Sequence, residues 1–210
     1  MTRVLIADDH EIVRCGLRDI LTTRLGKVAV SEAKDAGEAI NLLIEKEWDL
    51  VLLDINMPGR SGLEVLEQAQ RLRPKTPVLV LTSYPEDQFA LRAFKLGASG
   101  YITKQSVSDE LITAVKRVLA GGKYVTASLA ERFASCVGET GEQSPHEALS
   151  NRELQVLRLI AVGKSVKETA EELALSEKTI ATYRTRIAEK LGLKTNVEIA
   201  RYALKHGLVE

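Results

Sequence analysis

Three carboxylates stand directly after short apolar runs in the first half of the chain. Asp54 ends the run Leu50–Leu53 and precedes a Pro-Gly turn, and the pair Asp8 and Asp9 follows Val4–Ala7. If these runs are neighbouring parallel strands, the three side chains converge at one edge of the sheet, where they repel each other unless a cation is present. Carboxylate oxygens of this kind suit Mg²⁺. We therefore expect a magnesium site, with Asp54 as the candidate reactive group.

Two further polar groups follow later apolar runs. Thr82 and Ser83 offer hydroxyls after the run at 78–81, and Lys104 offers a cation after the run at 100–102. Taken singly, each residue has an ordinary explanation, because an Asp at a strand end often caps a helix and a surface Lys is usually solvated. Their joint occurrence at strand ends of one predicted sheet favours a site for chemistry.

The elements that must position these groups alternate along residues 1–120. Apolar runs predict strands at 4–7, 28–33, 50–53, 78–81 and 100–102, and helical periodicity predicts helices at 10–24, 36–46, 62–73, 86–96 and 107–120. This alternation is typical of a parallel sheet with βαβ crossovers. We predict an α/β, flavodoxin-like, doubly wound fold with a five-stranded sheet in the order 2-1-3-4-5. In the first helix, an apolar face is expected to comprise Ile12, Val13, Leu17, Ile20 and Leu21.

The remainder of the chain changes character after residue 120. A helix is predicted at 126–134 and a flexible linker at 138–146, where glycine, serine and proline are frequent. From 148 onward the pattern predicts only helices, at 150–161, 165–173, 177–191 and 195–206, each preceded by a Ser or Thr cap. We therefore expect three parts: residues 1–120, a linker with a helix at 121–147, and a small all-α domain at 148–210.

Composition excludes several broad classes of protein. Lysine plus arginine and aspartate plus glutamate both number 29, so no overall charge favours nucleic acid or membrane surfaces. The two cysteines, Cys15 and Cys136, have neither a disulfide framework nor metal-ligand spacing. No apolar stretch is long enough to predict a membrane span, and no leader peptide is recognisable at the start. The expected location is the cytoplasm.

Short motifs occur in order along residues 1–120: Asp8-Asp9-His10, Asp54-Ile55-Asn56-Met57-Pro58-Gly59, Thr82-Ser83, Gly97-Ala98-Ser99-Gly100-Tyr101 and Lys104. Together they resemble the receiver domain of bacterial two-component response regulators. The resemblance implies that Asp54 accepts a phosphoryl group from a sensor histidine kinase. It further implies the following roles: Asp8, Asp9, Asp54 and the main-chain carbonyl of Asn56 as Mg²⁺ ligands, Thr82 and Lys104 as phosphoryl contacts, and Tyr101 as an aromatic switch.

Two points within this resemblance stay open at the level of sequence. Many receivers have Pro after the lysine, whereas Gln105 follows Lys104 here, so the placement of that lysine is not assured. Tyr101 is also explained by simple packing of an edge-strand aromatic on the helix at 86–96. Asn56 and Tyr84 flank the site and would tune the lifetime of the phosphoryl group.

The helices at 165–173 and 177–191 are separated by a short turn, as in a helix-turn-helix. Between Lys178 and Lys194 there are five basic residues and one acid, Glu189, although a solvated basic helix face would look the same. The motif Leu149-Ser150-Asn151-Arg152-Glu153, Gly163-Lys164-Ser165, Ser176, Lys178-Thr179-Ile180 and Lys190-Leu191-Gly192 resembles the LuxR-type DNA-binding domain. With the receiver in front, the chain resembles the NarL/FixJ class of response regulators.

This second resemblance implies a set of contacts with double-stranded DNA. By helix position, Ala181, Thr182 and Thr185 should face base edges, with Arg184 or Arg186 close by. Residues placed to bind phosphates are Lys167, Ser176, Lys178, Thr179 and Lys190. Three positions depart from the common pattern: Ala181 where Lys is frequent, Tyr183 where His is frequent, and Thr169 where an apolar residue is usual.

The sequence thus predicts a phosphorylation-dependent transcriptional regulator and not a turnover enzyme. Expected partners are a sensor histidine kinase, a DNA operator, RNA polymerase and a second copy of the chain. The apolar residues of the last helix suit either a dimer contact or burial against the domain core. One rival is an aspartate-phosphate phosphatase, which needs a second Asp where Asn56 stands. The other is a regulator that acts through protein contacts without phosphorylation, which the complete acidic site disfavours.

Overall fold

In the computed structural model, residues 1–57, 60–138 and 145–209 are described, without the side chains of residues 87, 88 and 135–138. The predicted turn at Pro58-Gly59, the Cys136 side chain and residues 139–144 of the predicted flexible linker therefore lie outside the described residues. The chain divides into two compact units, Met1–Val137 and Gly138–Glu210. The helix after residue 120 falls almost entirely in the first unit. The predicted three-part division stays a prediction.

Strands and helices alternate through the first unit, as predicted. The elements are β1 (Thr2–Ala7), α1 (Glu11–Leu25), β2 (Val28–Ala33), α2 (Ala36–Glu45), β3 (Leu50–Leu53), α3 (Gly62–Leu72), β4 (Val78–Thr82), α4 (Glu86–Lys95), β5 (Gly100–Thr103), α5 (Val107–Leu119) and α6 (Ala127–Gly138). All strand pairs are parallel, in the order β2-β1-β3-β4-β5. The predicted doubly wound, flavodoxin-like fold is therefore confirmed.

The sheet is buried on both of its faces. All four residues of β3 and all five of β4 are buried, which is why these strands read as continuous apolar runs. On one face, α1 and α5 cover β1 and β3 through a single apolar cluster that includes Leu17, Leu21 and Leu111. The carboxyl ends of β1, β3, β4 and β5 consequently share one edge of a rigid scaffold.

Two predictions about the first elements were inexact. Ile12, assigned to the buried face of α1, is 87% exposed, whereas Leu17 and Leu21 are buried. A helix turns by about 100° per residue, so Ile12 lies about 140° around α1 from Leu17 and on the opposite side from Leu21, outside the buried stripe. β1 also begins earlier than predicted, because Thr2 and Arg3 pair with β2 despite their polarity.

The second unit is all helical. After a 3₁₀ turn (Pro145–Ala148), it contains α7 (Asn151–Ala161), α8 (Val166–Glu172), α9 (Glu177–Leu191) and α10 (Asn196–Lys205). The longest described helices, α1 and α9, have 15 residues each. No helix within the described ranges is long and apolar enough to cross a bilayer.

The predicted caps account for where these helices begin. Ser150 with Glu153 and Ser165 with Glu168 form capping boxes, in which each Ser hydroxyl and each Glu carboxylate bonds a main-chain N–H of the other residue. Ser176 caps α9, and Thr195 caps α10. These side chains satisfy N–H groups that the first helical turn leaves without partners. The local sequence therefore fixes the start of each helix.

Candidate functional site

The three predicted carboxylates do converge at the carboxyl edge of the sheet. One carboxylate oxygen from each of Asp8, Asp9 and Asp54 and one ring nitrogen of His10 all lie within 4.8 Å of one another. Asp54 follows β3 and is held by its own main-chain N–H, which donates to the carbonyl of Ala7 at 2.8 Å. Asp8 and Asp54 are almost fully buried, whereas Asp9 is partly exposed. The cluster is therefore buried at Asp8 and Asp54 and exposed to solvent at Asp9.

Lys104 supplies the cation that the sequence predicted. Its Nζ lies 2.6 Å from Asp54 Oδ2 and 2.7 Å from Asp8 Oδ2. The Lys104 main-chain N–H donates to the carbonyl of Thr82 at 2.7 Å, which fixes the backbone immediately after β5. Gln105 in place of Pro therefore does not prevent the lysine from reaching the carboxylates. The adjoining strand, rather than the next residue, positions it.

The negative charge of the cluster is only partly neutralised by Lys104. Burial raises the pKa of Asp54, the Lys104 ammonium opposes this, the Asp8 carboxylate raises it further, and the pKa remains raised overall. Burial lowers the pKa of Lys104, but Asp54 and Asp8 outweigh that effect and raise it. Three carboxylates face one ammonium. An additional hard cation would offset the remaining negative charge, and the donor set of carboxylate oxygens fits Mg²⁺.

His10 is a member of the cluster that sequence reasoning did not assign. Its Nδ1 lies 2.8 Å from Asp9 Oδ1 and 3.3 Å from Asp8 Oδ1, and its main-chain N–H donates to Asp8 Oδ1 at 2.9 Å. The imidazole side chain is mostly exposed. Its position directly after two strand-end carboxylates was the available signal. His10 orients both carboxylates from the open side.

Gly62 is a second residue that sequence reasoning missed. A Cβ built on Gly62 would lie 1.9 Å from the main-chain oxygen of Asp54 and 2.8 Å from Ile55 Cα. The Gly62 N–H also donates to the carbonyl of Ile55 at 2.9 Å. The start of α3 is thus packed directly on the backbone of the candidate reactive residue. Only glycine fits there.

Three other predicted residues lie on the strands and loops next to the carboxylates. The Asn56 N–H donates to Asp54 Oδ1 at 3.0 Å. Thr82 is fully buried at the end of β4, and its hydroxyl accepts a long hydrogen bond of 3.4 Å from the N–H of Tyr84. Tyr101 is also fully buried, and its hydroxyl donates to the carbonyl of Tyr84 at 3.0 Å. Tyr101 therefore packs in the core and holds the β4–α4 loop at the same time.

The second unit contains the predicted helix-turn-helix. α8 and α9 are joined by a turn in which Ala174 adopts φ 50°, a left-handed conformation that is unusual for a residue with a Cβ. Thr169, which stands where an apolar residue is usual, is fully buried, and its hydroxyl donates to the carbonyl of Ser165 at 2.8 Å. That bond satisfies the polar group, so the departure does not disturb the packing of α8.

Most of the predicted DNA-contacting residues share the exposed side of α9. Ala181, Thr182, Arg184, Thr185 and Arg186 are all exposed, as are Lys167, Ser176 and Lys178, while Thr179 is half-buried. A shallow depression of about 290 Å³ is lined by Ser176, Lys178, Thr179, Thr182, Tyr183 and Arg186. Tyr183, which had no assigned role, thus belongs to the same surface. We name these six lining residues the α9 face.

Two details qualify how this surface offers its groups. The hydroxyls of Thr182 and Thr185 donate to the carbonyls of Lys178 and Ala181, so each side chain presents a methyl and an acceptor outward. Lys190 is placed differently from the others: its Nζ lies 2.6 Å from Glu153 Oε2 and 3.3 Å from the carbonyl of Ala148. Its ammonium is therefore paired within the unit, while 39% of the side chain stays exposed.

Comparison with known families matches both units. Residues 4–116 match the family described as response regulator receiver domain, and residues 147–203 match bacterial regulatory proteins, luxR family. The chain is 37% identical to the response regulator GacA of Pseudomonas aeruginosa, over all of this chain and 99% of that protein.

Solved structures give the same assignment. A two-component response regulator of the LuxR family from Aurantimonas is 38% identical, with a TM-score of 0.60, and covers 66% of this chain and 100% of its own. RcsB from Salmonella enterica, in a structure bound to promoter rprA in the presence of the phosphomimetic BeF₃⁻, is 29% identical with a TM-score of 0.62, covering 96% of this chain and 98% of that one.

Proposed function

The chain belongs to the two-component response regulators of the NarL/FixJ class, and on this premise we propose how its residues carry that function. It is a DNA-binding transcriptional regulator whose activity depends on phosphorylation. We assign Asp54 as the phosphoacceptor and α9 as the helix that enters the DNA major groove. The single observation that carries the proposal is the ammonium of Lys104 at 2.6 Å from the buried carboxylate of Asp54, within a cluster of three carboxylates.

The proposed reaction is transfer of a phosphoryl group from a phosphohistidine of a sensor kinase. An Asp54 oxygen forms a bond to phosphorus while the bond from phosphorus to the histidine nitrogen breaks, and the histidine leaves with the electron pair of that bond. Lys104 and the Thr82 hydroxyl would contact phosphoryl oxygens. Burial of Asp54 keeps bulk water from the carboxylate, so the nucleophile is oriented by fixed protein groups rather than by solvent.

The carboxylates of Asp8, Asp9 and Asp54, with the main-chain carbonyl of Asn56, would hold Mg²⁺. A bound Mg²⁺ would neutralise charge on the transferring oxygens. The fit rests on the donor chemistry: hard oxygen ligands in a cluster with surplus negative charge. His10 lies beside two of these ligands and orients them.

The proposed switch is the packing of Tyr101 against the β4–α4 loop. A phosphoryl group on Asp54 would attract the hydroxyl of Thr82 and draw that loop inward. Tyr101 already bonds the loop carbonyl at Tyr84. A change in loop position therefore changes the hydrogen bond and packing of Tyr101, which is a local electrostatic event with two discrete outcomes.

DNA binding is proposed for the α9 face together with the other exposed residues predicted from the sequence. RcsB, the structural neighbour described above, is bound to a promoter in its structure. Lys178, Arg184 and Arg186 are exposed and would supply the charge that binds phosphates. Pairing of two copies on DNA is supported by α10, where Val197 is 70% exposed and Leu204 is 57% exposed on one side of the helix.

The test of the proposed acceptor is a mass measurement on the full chain. Incubation with acetyl phosphate and Mg²⁺ should add one phosphoryl group to the wild-type protein, and none to Asp54→Asn or to wild type in excess chelator. Peptide mapping should place the group on Asp54. Labelling of Asp54→Asn to the wild-type extent would reject the assignment, and absence of labelling in wild type would favour regulation through protein contacts alone.

A further inference from the structure

The part of the first unit that follows α5 pairs with the edge of the sheet at β5. Residues 124–133, which we name the docked segment, begin with Tyr124, whose main-chain N–H donates to the carbonyl of Ser99 at 2.8 Å and which bridges Gly100 in parallel. The Tyr124 hydroxyl donates to Glu110 Oε2 on α5 at 2.9 Å. Burial and this hydrogen bond raise the pKa of Tyr124 to about 12, so the hydroxyl keeps its proton.

Gly100 makes this docking possible. A Cβ at residue 100 would lie 2.7 Å from Leu79 Cδ1 and 3.0 Å from the Cβ of Tyr124. Further along, Leu129 is fully buried, and the rings of Phe94 on α4 and Phe133 on α6 meet edge to face with centroids 5.3 Å apart. The docked segment therefore packs closely against β5 and α4, and its position depends on the position of α4.

One carboxylate joins the start of α4 to the start of α6. Glu86, the first residue of α4, accepts hydrogen bonds at Oε2 from the hydroxyl of Thr126 at 2.7 Å and from that of Ser128 at 3.0 Å. Thr126 also caps α6, since its hydroxyl oxygen accepts from the N–H of Leu129 at 3.3 Å. We name Glu86, Thr126 and Ser128 the α4–α6 clasp.

The clasp is attached to the loop that responds to Asp54. Glu86 directly follows Pro85. The hydroxyl of Tyr101 lies 3.0 Å from the carbonyl oxygen of Tyr84, to which it donates, and 3.4 Å from that of Pro85. Tyr101 thus holds the loop from β5, and the clasp holds the next residue from α6. Movement of the loop toward a phosphoryl group must move Glu86, so the clasp must carry α6 with it or lose both hydrogen bonds.

We propose that the α4–α6 clasp transmits the phosphorylation state of Asp54 to α6, the helix through which the chain continues toward its DNA-binding unit. Glu86 is a positioning residue: it touches neither the phosphoryl site nor DNA, and it acts through the β4–α4 loop. The proposal rests on the proposed function for its input. It makes the docked segment the output element of the first unit.

The test uses the full chain as wild type, Glu86→Ala, and Ser128→Ala, which removes one clasp hydrogen bond from the other side and leaves the Thr126 cap of α6 in place. Glu67→Ala, which removes an exposed ion pair with Arg71 on α3, is the matched control. Each protein is phosphorylated with acetyl phosphate and Mg²⁺. Amide hydrogen exchange over residues 124–133 is then compared with and without phosphorylation, and the extent of labelling is followed by intact mass.

In wild type and Glu67→Ala, exchange over 124–133 should change on phosphorylation. In both clasp variants Asp54 should label to the same extent while this change shrinks or disappears, a result that a merely structural role for Glu86 would not give. An equal change in all proteins, or none in labelled wild type, would overturn the proposal.

A second measurement separates this proposal from the proposed function. With a duplex selected from a random pool by phosphorylated wild type, the ratio of affinities with and without phosphorylation should fall by about fivefold or more in the clasp variants. If the exchange response is as expected but phosphorylation does not change the affinity of wild type for DNA, the clasp stands and the proposed output fails. If Asp54 does not label, both are overturned.

Discussion

Gly62 lies against the backbone of Asp54 so closely that a single added carbon would meet the Asp54 carbonyl oxygen at 1.9 Å. The start of α3 and the proposed phosphoacceptor, Asp54, are therefore packed directly against each other. The added Cβ would meet only backbone atoms of Asp54 and Ile55, so a change of side-chain rotamer cannot relieve the contact. The site depends on this packing as much as on its charged groups.

The first prediction concerns Gly62→Ala. The substitution should lower the free energy of unfolding of the first unit by about 2 kcal/mol or more and should slow labelling of Asp54, because the carbonyl must move. Urea denaturation followed by Trp48 fluorescence measures the first effect, and acetyl phosphate labelling measures the second. Gly16→Ala is the control: no atom lies within 4 Å of its added Cβ, so it should be neutral or stabilising by about 0.5–1 kcal/mol. Equal effects of the two substitutions would contradict the account.

The second prediction concerns the charge on the α9 face. Lys178→Ala should weaken binding to duplex DNA of any sequence and reduce the slope of log affinity against log salt by about one unit, because one phosphate contact is lost. Fluorescence anisotropy with a random-sequence duplex at several salt concentrations measures this. Lys205→Ala, an equal charge change at the end of α10, should leave the slope alone. An unchanged slope in Lys178→Ala would remove that residue from the phosphate contacts.

The third prediction separates Lys190 from the DNA contacts assigned by sequence. Its ammonium is paired with Glu153 in the folded unit, so Lys190→Met should destabilise the second unit by about 1–3 kcal/mol by leaving a buried carboxylate without its partner. The salt slope of DNA binding should stay close to that of wild type. A reduced slope with unchanged stability would instead support the phosphate contact.

The fourth prediction is a pH dependence from the same pair. Burial would raise the pKa of Glu153, but hydrogen bonds from Lys190 and Ser150 outweigh burial and lower it. A lowered folded-state pKa contributes stability above the unfolded pKa of about 4.3, and this stability is lost as pH falls through the folded value. Urea unfolding is followed by circular dichroism, with Trp48 fluorescence reporting the first unit separately. As pH falls, the free energy of unfolding of the second unit should decrease more steeply in wild type than in Glu153→Gln. Parallel pH profiles would exclude Glu153 as the source.

The fifth prediction concerns the turn of the helix-turn-helix. Ala174 at φ 50° carries a cost that glycine avoids, so Ala174→Gly should stabilise the second unit by about 0.5 kcal/mol after the entropy of the unfolded chain is counted. Ala181→Gly, in the exposed middle of α9, should cost about 1 kcal/mol. Urea unfolding followed by circular dichroism measures both. Destabilisation by both substitutions would show that φ at residue 174 is not the controlling feature.

The strands and the acidic cluster were predictable from sequence because each depends on local patterns, whereas the strand order came from the flavodoxin-like fold that the alternating pattern indicates. Buried parallel strands read as apolar runs, and a polar residue after such a run must lie at the shared carboxyl edge of the sheet. The helix starts of the second unit were predictable for a similar reason, because Ser150 and Ser165 each act on a residue three positions away.

Other features depend on contacts between residues far apart in sequence, and these were not predicted. The fit of Gly62 on Asp54 and of Tyr124 on Gly100 follows from close approach of two backbones, which periodicity does not encode. The pairing of Lys190 with Glu153 likewise required the fold, since the family resemblance placed Lys190 with the phosphate contacts of the second unit.

The most direct test of the central claim measures DNA affinity for wild type and Asp54→Asn, each with and without acetyl phosphate and Mg²⁺. The probe is a duplex selected from a random pool by phosphorylated wild type. The account predicts that phosphodonor changes the affinity of wild type about fivefold or more and leaves Asp54→Asn unchanged. An equal response of both proteins to the phosphodonor would contradict the claim that Asp54 is the switch.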